Sequence, residues 1–191
     1  MNFLKNATKE KYLYHIKPDN FSGFEIYSLN KIKEIDESKY KNSIKKYKGR
    51  EDHITTKIKN LDCTWADVVN LSTINPFKIF MLTNILGIKN HKYNENKEII
   101  CIPISKLKNK EFCYYDDNIS EKSDKAYSNF KVSSYKETEF VPDKTVKYFL
   151  DCLKKDEDPL AFAYIKHVLV KDSINIKGCK IIKFNFSDYL K

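Results

Sequence analysis

Four glycines, at positions 23, 49, 87 and 178, are all that this 191-residue chain contains, and no two lie close together. A P-loop or a dinucleotide fingerprint needs clustered glycines, because only there can backbone approach a phosphate closely. Both folds are excluded, and any nucleotide must be held by side chains and strand edges. The sequence also lacks an H-E-x-x-H, a G-x-S-x-G and a kinase signature, which removes metalloprotease, serine hydrolase and kinase chemistry.

Hydrophobic residues make up 41% and aromatics 14%, enough for a core, while charged residues at 32% supply a solvated surface. The length suits one domain over 1–191, and no Gly/Ser-rich or Pro-rich linker divides it. No apolar run approaches the roughly 20 residues of a membrane span, so none is expected. The opening Met1-Asn2-Phe3-Leu4-Lys5-Asn6 turns polar before the core of an ordinary signal peptide forms. Five cysteines (Cys63, Cys101, Cys113, Cys152, Cys179) contain no C-x-x-C pair and read as free thiols in a reducing cytoplasm. The expected compartment is the cytoplasm, the chain's own or that of a target cell. No metal site is expected.

The formal net charge is +9, a field that attracts nucleic acid, acidic surfaces or phosphorylated small molecules. Lysines are spread along the whole chain. Of the 35 basic side chains only Arg50 is arginine. A planar guanidinium clamps carboxylate or phosphate where a lysine cannot, so Arg50 is a candidate functional residue.

Periodicity gives an α+β fold with strands dominating the second half. Residues 12–16 form a first strand ended by Pro18. Leu29, Ile32, Ile35, Tyr40, Ile44 and Tyr47 recur at helical spacing, and Gly49 offers a stop. A strand is expected within 63–71, with Asp67 at a solvated edge. Asn75 caps the clearest helix, Pro76 occupies its first position and Gly87 closes it. Strands at 97–104 and 112–115 are expected to be joined by a polar turn, followed by an exposed loop over 116–129. Another strand is expected at 132–141. A helix starts at Pro142-Asp143, with Val146, Phe149, Leu150 and Leu153 as its buried face. Residues 161–170 and 179–186 read as a closing hairpin around Gly178.

Three constellations are candidates for chemistry. His15 ends the first strand, sharing a face with Leu13, while Tyr12, Tyr14 and Ile16 share the other; an imidazole there can donate to a ribose hydroxyl without changing charge. Glu137 and Glu139 lie two apart, so a strand aims both carboxylates the same way, where one holds a hydroxyl and the other orients an acceptor. Beside them stand Tyr40, Tyr47 and Arg50, along or just past a helix.

In order along the chain, Y-L-Y-H-I-K at 12–17, K-Y-K-G-R-E at 46–51, W-A-D-V-V-N-L-S at 65–72 with N-P at 75–76, and E-T-E-F-V-P-D-K at 137–144 resemble the ADP-ribosyltransferases. Within them the likeness is to the HYE-type branch that includes the DarT-like toxins modifying nucleic acid. The resemblance implies a split β-sheet core with flanking helices. It implies NAD as substrate, cleavage of the nicotinamide–ribose bond, and transfer of ADP-ribose to a nucleic-acid or protein acceptor. Positive charge develops on the ribose as that bond breaks, so a carboxylate against it favours the transition state. On this pattern Glu139 holds the 2′-hydroxyl of the nicotinamide ribose and His15 the other ribose. Tyr40 or Tyr47 stacks on nicotinamide, Arg50 binds the pyrophosphate or helps activate the acceptor, and Glu137 orients the acceptor. Tyr14 and Ser72 complete the cofactor-binding set, Ser72-Thr73 standing where related branches carry S-T-S. An antitoxin or a host target is the partner class implied. Two other readings fit the residues: a basic, metal-independent ribonuclease-like toxin using His15 and His53, and a non-catalytic binding or effector protein.

Overall fold

Short β-branched and aromatic runs in this chain pair into one large sheet, and a computed structural model describes residues 10–19, 21–88, 97–116 and 124–184 of it. Eleven strands are described: β1 Tyr12–Ile16, β2 Glu25–Tyr27, β3 Lys57–Ile58, β4 Cys63–Thr64, β5 Val68–Ser72, β6 Glu98–Pro103, β7 Phe112–Asp116, β8 Tyr127–Ser128, β9 Lys166–Lys171, β10 Ser173–Asn175 and β11 Lys180–Lys183. Seven form an antiparallel sheet in the order β11-β6-β1-β5-β9-β7-β8. The β2–β10 and β3–β4 pairs form two small ribbons. The helices are α1 Leu29–Ile35, α2 Glu37–Ile44, α3 Glu51–Ile54, α4 Pro76–Ile85 and α5 Asp143–Lys154. The architecture is α+β, with helices flanking a large antiparallel sheet, as the sequence leads one to expect.

Alternation along the strands assigns the two faces. One face carries Leu13, Val69, Leu71, Ile100, Ile102, Val168 and Val170, covered by Ile26 and Ile174 of the β2–β10 ribbon and by Tyr135. The opposite face is divided. Tyr14, Ile99 and Cys101 pack under Phe77 and Phe80 of α4 and under Phe184. Val68, Cys113, Tyr115 and Leu169 pack under Ile58, Leu61 and Trp65. Removing a ring as fully enclosed as Phe80 costs about 3–5 kcal/mol.

Local chemistry sets the boundaries, and in several places it corrects the periodicity reading. The apolar repeat over 29–47 breaks in two at Asp36. Its backbone leaves the helical region (φ −153°, ψ 97°) and its carboxylate accepts from the Lys39 N–H, so it ends α1 and caps α2. Residues 65–67 are a 3₁₀ turn rather than strand, because Asp67 forms a capping box with Thr64. Asp67 also accepts from Asn30, which ties it to α1 and not to a solvated edge. The helix over Asn75–Gly87 forms as read: the Asn75 side chain accepts from the Phe77 N–H at 3.0 Å.

The expected pairings in the second half are rearranged. β6 and β7 are not a hairpin; β1, β5 and β9 lie between them in the sheet. A 3₁₀ turn at Ile104–Leu107, buried at Leu107, carries the chain away from the β6 edge. β9 and β11 do not close a hairpin either: β11 pairs with β6, β9 with β5 and β7, and β10 intervenes to pair with β2. Residues 185 and 186 of that expected strand lie outside the described residues, as do 117–123 of the expected loop. The rest of that loop includes buried Ala126 and Tyr127, and Tyr127 adds a short strand to β7. The expected strand over 132–141 is a 3₁₀ turn at Val132–Ser134 and an extended segment with one bridge, Thr138 beside Ile74. On α5 the buried residues are Thr145, Phe149 and Cys152, while Leu150 and Leu153 are exposed.

Candidate functional site

The sheet is nearly divided between β1 and β5. Every residue of β1 pairs with β6, from Tyr12 opposite Pro103 to Ile16 opposite Ile99, whereas β5 meets β1 only at Tyr14 opposite Ser72. In an uninterrupted ladder the backbone groups of Tyr12 and Ile16, on the same strand edge as Tyr14, would go to β5. Here side chains take the places of the ladder. The Tyr12 N–H donates to the Glu137 carboxylate, and the Tyr12 carbonyl accepts from the Tyr135 hydroxyl at 2.6 Å. Beyond the Tyr14–Ser72 bridge, the His15 ring takes the Asn70 carbonyl at 3.1 Å. At each end of the split a side chain makes a hydrogen bond that the strands themselves do not make.

At the His15 end the split opens into a cleft of about 410 Å³ roofed by α1 and α2, within the range of small-molecule sites. Its floor includes His15, Val69 and Asn70, and its rim Ser22, Asn42, Ser43, Lys46 and Tyr47. Burial holds the His15 imidazole neutral, lowering its pKa to about 4 against the raising effect of the Asn70 carbonyl, with the nearby Lys46 charge also lowering it. A carbonyl oxygen only accepts, so Nδ1 carries the proton and Nε2 is left as an acceptor. His15 is thus set to accept from a hydroxyl donor, the reverse of the donation first expected of an imidazole here. The Asn70 side-chain oxygen is buried with no hydrogen-bond partner among the described residues.

Of the other residues singled out in the sequence, Tyr47 lines the same cleft. Its hydroxyl accepts from Trp65 Nε1 at 3.1 Å, and the Lys46 ammonium lies 5.2 Å from its ring centre. Tyr40 does not line the cleft; its ring carries the Lys33 ammonium at 5.6 Å. Arg50 is exposed and folds back, its guanidinium donating to the Lys46 carbonyl at 3.2 Å. The Ser72 hydroxyl is spent locally, donating to the Ile74 carbonyl at 2.9 Å and accepting from the Ile74 N–H at 3.2 Å.

The acidic pair lies at the other end of the split. Glu137 accepts from the Tyr14 hydroxyl at 3.2 Å as well as from Tyr12. Burial, followed by the Glu137 charge and hydrogen bond, pushes the Tyr14 phenol well above its ordinary value. Glu139 is exposed; its backbone carbonyl accepts from Lys78, and its carboxylate has no partner among the described residues. Neither carboxylate lines the cleft. At about 3.3 Å per strand residue, Tyr12 and His15 stand roughly 10 Å apart along β1. His15 and Tyr47 are therefore brought together, and Tyr14 and Glu137 are brought together, as two groups on either side of one bridge.

Sequence reasoning passed over Lys46, Asn70, Asn42 and Ser43. Lys46 opens the K-Y-K-G-R-E block, but only the structure sets it on the lining of the cleft with Val69 and Asn70. Asn70 does carry a signal in hindsight: it is the one polar residue inside Val68-Val69-Asn70-Leu71. No group of three His, Cys, Asp or Glu side chains suited to a metal ion occurs among the described residues. No described helix is long and apolar enough to cross a membrane.

No protein-family model matches the chain, and no curated protein matches it. Among solved structures it is similar to Thermosipho africanus DarTG in complex with ADP-ribose, at 11% identity and a TM-score of 0.43, over 93% of this chain. The chain spans 45% of the length of that one.

Proposed function

We propose that the protein is an NAD-dependent ADP-ribosyltransferase whose substrate lies along the β1–β5 split. The observation that carries the reading is the split itself, joined only at Tyr14–Ser72, with a neutral imidazole on the floor and a tyrosine on the rim of a nucleotide-sized cleft. The order of motifs in the sequence supports it independently. A ribose hydroxyl donates to His15 Nε2, and the dinucleotide extends past the Tyr14–Ser72 bridge toward the 137–139 segment. There Glu139, the carboxylate left without a protein partner, stabilises the positive charge that grows on the nicotinamide ribose as the glycosidic bond breaks. Glu137, already bound to Tyr12 and Tyr14, anchors the segment that carries it. The net charge of +9 favours a nucleic-acid acceptor over a protein one, and an antitoxin or host target is the partner class this activity brings.

The experiment is transfer of label from adenylate-labelled NAD to single-stranded or duplex nucleic acid and to protein extracts, with release of nicotinamide followed in parallel. Wild type should label an acceptor. Glu139→Gln should lose at least a hundredfold in rate at unchanged melting temperature. His15→Ala should chiefly raise KM for NAD. Nicotinamide release that is undetectable in wild type with every acceptor would defeat the proposal.

A further inference from the structure

The charged side chains lining the cleft are Asp19, Glu25, Asp36, Lys39 and Lys46. Asp19 is paired with Lys97 at 2.9 Å, and Asp36 with Lys39 at 3.6 Å. Glu25 accepts from the Asn175 amide. Lys46 alone has neither a carboxylate nor a hydrogen-bond partner for its ammonium among the described residues; what it has is the face of the Tyr47 ring. A lone cation on an aromatic face, lining the same cleft as the acceptor nitrogen of His15, is complementary to a ligand that is anionic at one end and carries hydroxyls at the other. Arg50, the guanidinium singled out in the sequence for an anion, does not reach the cleft. It donates to the Lys46 carbonyl and so fixes the turn from which Lys46 projects.

We infer that Lys46, carried on the 3₁₀ turn Lys45–Tyr47 that follows α2, is the phosphate-binding cation of this cleft, with Arg50 as its positioning residue. The ligand class is an organic diphosphate bearing ribose hydroxyls, not a free nucleoside. The ribose part rests on the transferase reading above; the phosphate part rests on the unpaired ammonium.

Calorimetry with three probes separates the two: ADP-ribose, adenosine and inorganic pyrophosphate. Wild type should bind ADP-ribose with an affinity that falls as salt rises. Lys46→Met should weaken ADP-ribose and pyrophosphate at least tenfold and leave any adenosine binding unchanged, and Lys46→Arg should restore most of the loss. Arg50→Met should give a smaller loss, about threefold. Lys48→Met removes a neighbouring exposed charge outside the cleft and should change nothing. Melting temperatures of all variants control for folding, which an exposed lysine should not disturb. Lys46-dependent binding of pyrophosphate upholds the inference even if ADP-ribose binds no better. ADP-ribose binding that Lys46→Met leaves intact overturns the inference and leaves the transferase reading standing. Failure of wild type to bind either phosphate compound overturns both.

Discussion

His15 donates from Nδ1 to the backbone carbonyl of Asn70 at 3.1 Å, and this bond fixes the polarity of the ring as well as its place in the split. Burial lowers the His15 pKa from 6.5 to about 4, so the unfolded chain takes up a proton in a window where the folded chain does not. Stability from this residue is complete above about pH 6.5 and is lost as pH falls toward 4. Holding the ring neutral down to about 4 instead of 6.5 corresponds to at most about 3–4 kcal/mol, less to the extent that water reaches the half-buried ring. Urea denaturation of wild type and His15→Asn at pH 7.5 and 4.5 checks this. The wild type should lose more stability than the variant over that interval; equal losses would show that the ring is not held neutral.

The Tyr12 N–H is taken by Glu137 and the Tyr12 carbonyl by Tyr135. Glu137→Leu strands the Tyr12 N–H and the Tyr14 hydroxyl and should cost about 2–4 kcal/mol, whereas Glu137→Gln keeps an acceptor and should cost about 1. Tyr135→Phe should cost about 1–2 kcal/mol. Because both residues grip one strand end, the double variant Glu137→Gln/Tyr135→Phe should depart from additivity by at least 0.5 kcal/mol. Thermal or chemical denaturation of the four proteins measures it.

Asp67 joins three elements by accepting from the Thr64 N–H at 2.8 Å, the Thr64 hydroxyl at 2.7 Å and the Asn30 amide at 2.6 Å. These bonds hold its carboxyl below the ordinary range although burial opposes them. Asp67→Ala should therefore destabilise by about 2 kcal/mol. It should also loosen α1 over the cleft, seen as faster amide exchange across 29–35 than across α4.

Four of the five cysteines, Cys63, Cys101, Cys113 and Cys179, should be inert in the folded protein. Burial raises the Cys113 thiol to about 12 and the Cys63 thiol to about 11, and it also raises Cys101 and Cys179. Iodoacetamide at pH 7.5 should label them only slowly, and rapidly once urea unfolds the chain. Mass spectrometry of alkylated protein reads the difference.

How far the sequence discloses this molecule depends on the range of the interactions involved. β1 and α4 were legible because their signals are local: alternation ended by Pro18, and an Asn-Pro cap closed by Gly87. The break at Asp36 is also local, but the apolar repeat runs through it, and only the capping bond to Lys39 shows which signal prevails. Pairing was not legible. β6, with Ile99 to Ile102 buried on both faces, has the same pattern beside any partner, so its place between β1 and β11 follows from long-range packing. The site divides in the same way. His15 and Tyr47 can be named from motifs, but the distance separating them from Glu137 and Glu139 is set by the Tyr14–Ser72 bridge. Lys46 is distinguished from its neighbours by what it lacks in three dimensions.

The central claim is that one ligand occupies the split from the cleft toward the acidic segment, and a crystal structure with ADP-ribose tests it most directly. The account predicts a ribose hydroxyl within hydrogen-bond distance of His15 Nε2, the diphosphate against Lys46 and the distal ribose directed toward Glu139. ADP-ribose bound elsewhere, or a cleft without ligand density at saturating concentration, would contradict it.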